Sequence, residues 1–109
     1  MRGFGTTVEH LDGDVTVALH GELDLEHAYD FDIELRRLEA TQPRCLILDL
    51  RELTFLDSSG LARLLAARRR ARRAQRRLVL VRGTATVQRL FALTALDEQF
   101  EMVSAPPAG

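Results

Sequence analysis

Cys45-Leu46-Ile47-Leu48-Asp49-Leu50 leads through Arg51-Glu52-Leu53-Thr54-Phe55-Leu56 into Asp57-Ser58-Ser59-Gly60-Leu61. The largely apolar hexamer at 45–50 reads as a strand buried on both faces. Residues beyond Gly60 read as a helix, and 51–57 as the loop that feeds it. Two serines therefore sit at a helix N-terminus. Unpaired backbone N–H groups and the helix dipole favour negative charge there. A serine hydroxyl in that position is well placed to carry a phosphate.

Toward the N-terminus, Phe4–Leu11 and Val15–His20 are strand-like. Val15, Val17 and Leu19 alternate with Thr16, Ala18 and His20, a period of two. Asp12-Gly13-Asp14 has turn chemistry, so the pair reads as a β-hairpin. Gly21 permits a bend at the strand end, and Asp24 is placed to cap a helix. In that helix Ala28, Phe31, Leu35 and Leu38 recur at three-and-four spacing. Thr41-Gln42-Pro43 ends it.

Toward the C-terminus, Ser58 or Ser59 caps a second helix that runs to about Gln75. Leu61, Leu64 and Leu65 form its buried stripe, with Arg68 and Arg72 further along it. Leu78–Val81 is another buried strand. Thr84 caps a third helix with Val87, Leu90, Phe91 and Thr94 facing inward, and Phe100–Val103 is a short final strand. The order β-β-α-β-α-β-α-β predicts an α/β fold. Its sheet is mixed and mostly parallel, with an N-terminal β-hairpin and helices packed on it. One domain is expected over 1–103, followed by a disordered tail at 104–109.

The chain has 109 residues, 46% hydrophobic and 28% charged, which suits one globular domain with its own core. Its single cysteine excludes an internal disulfide, and Cys45 in the central strand reads as a small apolar residue. The first residues lack a basic stretch followed by an apolar one. No apolar run approaches the ~18 residues of a membrane span. A cytoplasmic location is expected. Nine of the 16 acidic residues fall between Glu9 and Glu34, and eight of the 15 basic residues between Arg63 and Arg77. Every basic residue is arginine, so lysine chemistry such as a Schiff base is excluded.

Several segments together resemble the STAS domain, and within it the bacterial anti-sigma factor antagonists (anti-anti-sigma factors). They are Gly21-Glu22-Leu23-Asp24; LILDLRELTFLDSSGL at 46–61; RLVLV at 77–81; and Val87-Gln88-Arg89-Leu90-Phe91 with Leu93-Thr94-Ala95-Leu96. The resemblance implies a STAS-type sandwich and a partner-switching role. Ser58 would be the phosphoacceptor, with Ser59 a capping partner or minor acceptor. Glu22, Asp24, Asp57, Ser58, Ser59, Gly60 and Leu61 would meet the partner. Gly60, lacking a Cβ, would let that partner approach Ser58 closely. The implied partners are an anti-sigma factor that is also a serine kinase, and a serine phosphatase. ATP would be used by the kinase, and no cofactor is expected in this chain. Two residues depart from the family pattern, both where glycine is common: Gln75 and Ala95. An alternative within the family is a constitutive STAS subunit of a lipid-transport or stress-sensing assembly, with Ser58 only a helix cap.

Other chemistry fits less well. A hydrolase elbow needs Gly-x-Ser-x-Gly, and Leu56-Asp57-Ser58-Ser59-Gly60 lacks the first glycine. Of the three histidines, only His27 falls near the loops that face Ser58. No His-Glu-x-x-His spacing occurs, and one cysteine cannot build a thiolate zinc site. The run Arg68–Arg77 carries a nucleic-acid signal, yet no aromatic residue interleaves it to stack on bases. It reads as a solvated helix end, free to pair with the acidic first helix of the same or another chain.

Overall fold

The computed structural model describes residues 3–107. Five strands and three helices follow the expected order: β1 Phe4–Leu11, β2 Asp14–Leu23, α1 Leu25–Glu39, β3 Cys45–Leu56, α2 Ser58–Arg73, β4 Arg77–Val81, α3 Ala85–Leu93 and β5 Glu101–Val103. A 3₁₀ turn at Asp97–Gln99 precedes β5. The sheet order is β1-β2-β3-β4-β5. β1 and β2 are antiparallel, and the remaining pairs are parallel. Asp12 and Gly13 both have positive φ, the two-residue geometry that matches strand twist in a hairpin.

Alternation of side chains divides the core between the two faces of the sheet. Val15, Val17, Leu19, Leu46, Leu48, Leu50 and Leu80 pack with Phe31 and Leu35 of α1, Leu61 and Leu64 of α2, and Val87 and Phe91 of α3. The opposite face holds a smaller cluster of Cys45, Ile47, Val79 and Val81, with Val103 against it. Cys45–Leu50 is buried at every position, as a strand covered on both sides must be. Burial pushes the Cys45 thiol pKa up, in keeping with a packing role. Of the tail expected at 104–109, Pro106 and Pro107 border a cleft of about 220 Å³ over this second face, beside Thr16, Ala18 and Asp49. Residues 108–109 lie outside the described residues.

Several expectations need correction. β3 continues six residues past Leu50 to Leu56, so 51–56 is strand and not loop. β2 likewise runs on through Gly21 to Leu23. Register shifts between Ala18 and His20 and between Gly21 and Glu22 bend the pair as bulges do. Gly21 has φ 86°, and a Cβ there would stand 2.0 Å from the Gly3 carbonyl oxygen. Strand propensity alone hides such a bulge, because the extra residue breaks the alternation.

Helix α2 also turns differently from its apolar pattern. Its inward stripe is Leu61, Leu64, Ala67 and Ala71, with Leu65 only partly buried. Small alanines let the helix lie close to the sheet. Arg68 is half-buried and donates from Nε to the Gln99 carbonyl, while Arg72 is exposed. On α3, Thr94 is exposed as the C-cap, not inward. Gln75 and Ala95 adopt φ of 54° and 57°, the left-handed region that glycine tolerates freely. Each costs about 1 kcal/mol of strain relative to glycine.

The pairing expected between the arginine run and the acidic first helix is present. Asp32 and Glu39 of α1 are 4% and 9% exposed. Arg70 of α2 donates to Glu39 from Nε at 2.6 Å and Nη2 at 2.9 Å. Its Nη1 stands 3.2 Å from Asp32 Oδ1, close enough for charge attraction but misaligned for a hydrogen bond. Arg36 and Arg63 also approach Asp32, at 3.0 and 3.4 Å. The hydrogen bond to Glu39 raises the Arg70 pKa against the opposing effect of burial.

Candidate functional site

β2 and β3 run parallel and end side by side at Leu23 and Leu56. Each feeds a helix, so α1 and α2 start at the same end of the sheet. Each start has an aspartate cap. Asp24 Oδ1 accepts from the His27 backbone N–H at 3.2 Å and lies 2.8 Å from His27 Nδ1. Partial desolvation would raise the Asp24 carboxyl pKa. The hydrogen bonds with His27 outweigh it and hold the group below its ordinary 3.8.

Asp57 does more. Its Oδ1 accepts from the backbone N–H groups of Ser59 (2.9 Å) and Gly60 (3.0 Å). Its Oδ2 accepts from the Leu25 backbone N–H at 3.2 Å. One carboxylate thus satisfies donors at the starts of both helices, which otherwise leave four N–H groups each unpaired. The expectation that Ser58 or Ser59 caps α2 is therefore wrong: Asp57 is the N-cap, and Ser58 is the first helical residue. A carboxylate is the stronger acceptor and favours the positive end of the dipole.

Freed from capping, Ser58 is exposed, and Ser59 is half-buried. Gly60 and Leu61 face inward instead. A Cβ on Gly60 would stand 2.6 Å from the Leu23 carbonyl oxygen and 2.7 Å from Leu56 Cδ1. Its missing side chain serves the close packing of α2 on the ends of β2 and β3, not the approach of a partner. Leu61, 4% exposed, is a core residue and presents no surface to a visitor. Glu22, Asp24 and Asp57 are half-buried around the two helix starts. The site is thus an exposed hydroxyl beside two carboxylates already engaged by backbone N–H groups.

Beside Ser59 opens a groove of about 420 Å³ between α1 and α2, lined by Leu25, Ala28, Tyr29, Ala62, Ala66 and Arg69, among others. Leu25 and Tyr29 are 75% and 64% exposed. Neither stands out from the apolar stripe of α1 in the sequence alone. Their signal is an i,i+4 apolar pair lying off the Ala28–Phe31–Leu35 stripe.

Other candidates are absorbed by structure. Asp24, Glu26 and His27 bring one ligand atom each within 4.8 Å of one another. The Asp24 carboxylate, however, is engaged by the cap and by the His27 ring. Among the described residues no hydrogen bond joins His27 to Ser58. Within the arginine run, Arg68, Arg70, Arg76 and Arg77 are tied to Gln99, Glu39 and Glu101, which leaves Arg69, Arg72 and Arg73 without partners among the described residues. No helix among the described residues is long and apolar enough to cross a membrane.

The family model of the STAS domain matches residues 6–106. The chain belongs to the STAS domain family. A STAS-domain containing protein of Pseudomonas aeruginosa (strain UCBPP-PA14) is 30% identical over 98 residues, which are 89% of this chain and 96% of that protein. Among solved structures, an anti-sigma factor antagonist from Mycobacterium paratuberculosis superposes with a TM-score of 0.87 at 28% identity. The superposition covers 94% of this chain and 87% of that chain. The anti-sigma factor antagonist SpoIIAA in its unphosphorylated form gives 0.78 at 22% identity, over 92% and 89% of the two chains. The phosphorylated form of the Bacillus SpoIIAA gives 0.71 at 20%, over 92% of each. These last two share the fold with this STAS domain: a five-stranded mixed sheet with three helices packed on it.

Proposed function

We propose that this STAS domain is an anti-sigma factor antagonist switched by phosphorylation of Ser58. Unphosphorylated, it binds an anti-sigma factor that is also a serine kinase, and a sigma factor is released. The kinase then moves the γ-phosphoryl group of ATP onto Ser58 Oγ; the hydroxyl proton leaves and ADP departs. A serine phosphatase resets the domain. The observation that carries this reading is the exposure of Ser58 at the first position of α2, with capping already done by Asp57. The antagonist from Mycobacterium paratuberculosis, similar along nearly the whole chain, supports the role.

The physics of the switch follows from that geometry. A phosphoserine carries about −1.5 to −2 charges at neutral pH. The N–H groups of Ser59 and Gly60, which would otherwise receive the phosphate, are committed to Asp57. The phosphate is therefore left facing solvent, next to the Asp57 carboxylate. A partner seated there meets two like charges on a surface that was neutral at Ser58. Each ~1.4 kcal/mol of that repulsion weakens binding tenfold, so a hundredfold loss needs only about 3 kcal/mol. The fold itself is little disturbed.

Incubating the protein with Mg-ATP and each purified ATP-binding anti-sigma factor of its source organism tests this directly. Intact mass should rise by one phosphoryl group with one of them, and Ser58→Ala should abolish the rise. Ser58→Asp should bind that same factor at least about a hundredfold more weakly than wild type. Unmodified protein with every kinase, or Ser58→Asp binding like wild type, would overturn the switch and favour a constitutive subunit.

A further inference from the structure

The groove between α1 and α2 has a polarity along its length. At the end near Ser58 the α1 wall is apolar, from Leu25 and Tyr29, over Ala28, Ala62 and Ala66, while Arg63 on the α2 side is already paired with Asp32. Among the described residues only five large hydrophobic side chains are exposed, and these two share one wall. Arg69 lines the far end of the groove, and Arg73 follows it one helical turn on along α2. Neither has an ionic or hydrogen-bonding partner among the described residues, although Arg70 between them is paired with Glu39 and Asp32. From Ser59 to Arg69 the helix rises about 15 Å.

We propose that this groove receives a segment of the anti-sigma factor that is apolar near Ser58 and acidic about 15 Å away. Leu25 and Tyr29 are its apolar anchors, and Arg69 and Arg73 pair with its carboxylates. The inference rests on the function proposed above and adds the chemistry of the surface that lands. Charge complementarity selects this occupant. The two free guanidinium groups sit at one end, whereas Asp24 and Asp57 flank the other. A uniformly anionic polymer such as a nucleic acid would be repelled at the Ser58 end. A protein segment of graded charge is favoured along the whole length. Apolar anchors in a small-residue groove give affinity, while exposed cations mainly speed encounter and choose the partner.

Calorimetric titration of the anti-sigma factor that binds wild type provides the test, with three double or single variants. L25A/Y29A should bind on the order of tenfold to a hundredfold more weakly. R69E/R73E should lose about tenfold at low salt and less as salt rises, because exposed charges are screened. R89E, on α3 and outside the groove lining, should match wild type. All replaced side chains are exposed, so thermal midpoints should be nearly unchanged. If L25A/Y29A binds within about twofold of wild type while Ser58→Asp does not, the groove proposal fails and the switch stands. If wild type binds none of the source organism's anti-sigma factors, both fail. A gel shift of single-stranded or duplex oligonucleotide by wild type, lost in R69E/R73E, would also overturn the proposal in favour of nucleic acid.

Discussion

The two ends of α2 use polar side chains in opposite ways. At its C-terminal half, Arg70 is drawn between Asp32 and Glu39, and almost none of the three reaches solvent. At its N-terminus, Asp57 takes the backbone donors and leaves the Ser58 hydroxyl outside. The first end is closed: a changed charge there has nowhere to go. The second is open: a charge added at Ser58 is carried by solvent and felt by whatever docks. A regulated side chain has to be of the second kind, since its modification must spare the fold.

The largest expected effect lies at the closed end. Arg70→Ala leaves the buried Glu39 carboxylate without its cation and Asp32 with only Arg36 and Arg63, which should destabilise the domain by about 3 kcal/mol or more, read as a lower urea midpoint. A loss under about 1 kcal/mol would mean that Arg36 and Arg63 suffice for Asp32, and the contrast between the ends would weaken. Next comes Gly60→Ala, which forces a methyl group against the Leu23 carbonyl and Leu56. A cost of about 1–3 kcal/mol is expected, together with a shifted start of α2. Chemical shifts of Ser58 and Ser59 would report that shift.

Asp57→Ala should cost about 1–2 kcal/mol, the range for one lost N-cap, since it uncovers donors of both helices. It also sharpens the comparison. With the Ser59 and Gly60 N–H groups free, a Ser58 phosphate can turn inward and cap the helix itself. Phosphorylation should then raise the thermal midpoint of Asp57→Ala but not that of wild type. The smallest effect is acid titration of Asp24. Its folded pKa lies below the ordinary 3.8, so its contribution is fully present above that value and is lost as pH falls through the folded value. Urea midpoints should be flat from neutral pH to about pH 5 and then decline on further acidification. His27→Ala should blunt the part of that decline due to Asp24.

Much of this was legible along the chain. Element order, the hairpin, the Asp24 and Thr84 caps and the doubly buried strand at 45–50 follow from local pattern, because each depends on neighbours within a few residues. The boundaries of β2 and β3 were not legible. Their last residues pair across a bulge, and a bulge disrupts the period that marks a strand. The cap of α2 lies at Asp57, one or two residues before the serines that local pattern favours. Asp57, Ser58, Ser59 and Gly60 in a row offer several caps, and only the competition for the Ser59, Gly60 and Leu25 donors selects Asp57.

By itself, then, the sequence determined the layered α/β architecture, membership of the STAS family's pattern, and the short window in which a phosphoacceptor has to lie. Tertiary structure alone decided which of those residues face outward. Gly60 and Leu61 belong to the core, Arg70 and not Arg68 is the cation tied to the buried carboxylates, and Leu25 and Tyr29 flank an open groove. The reason is physical. Periodicity reports one face of one element, whereas exposure depends on what a second element, distant in sequence, brings against it.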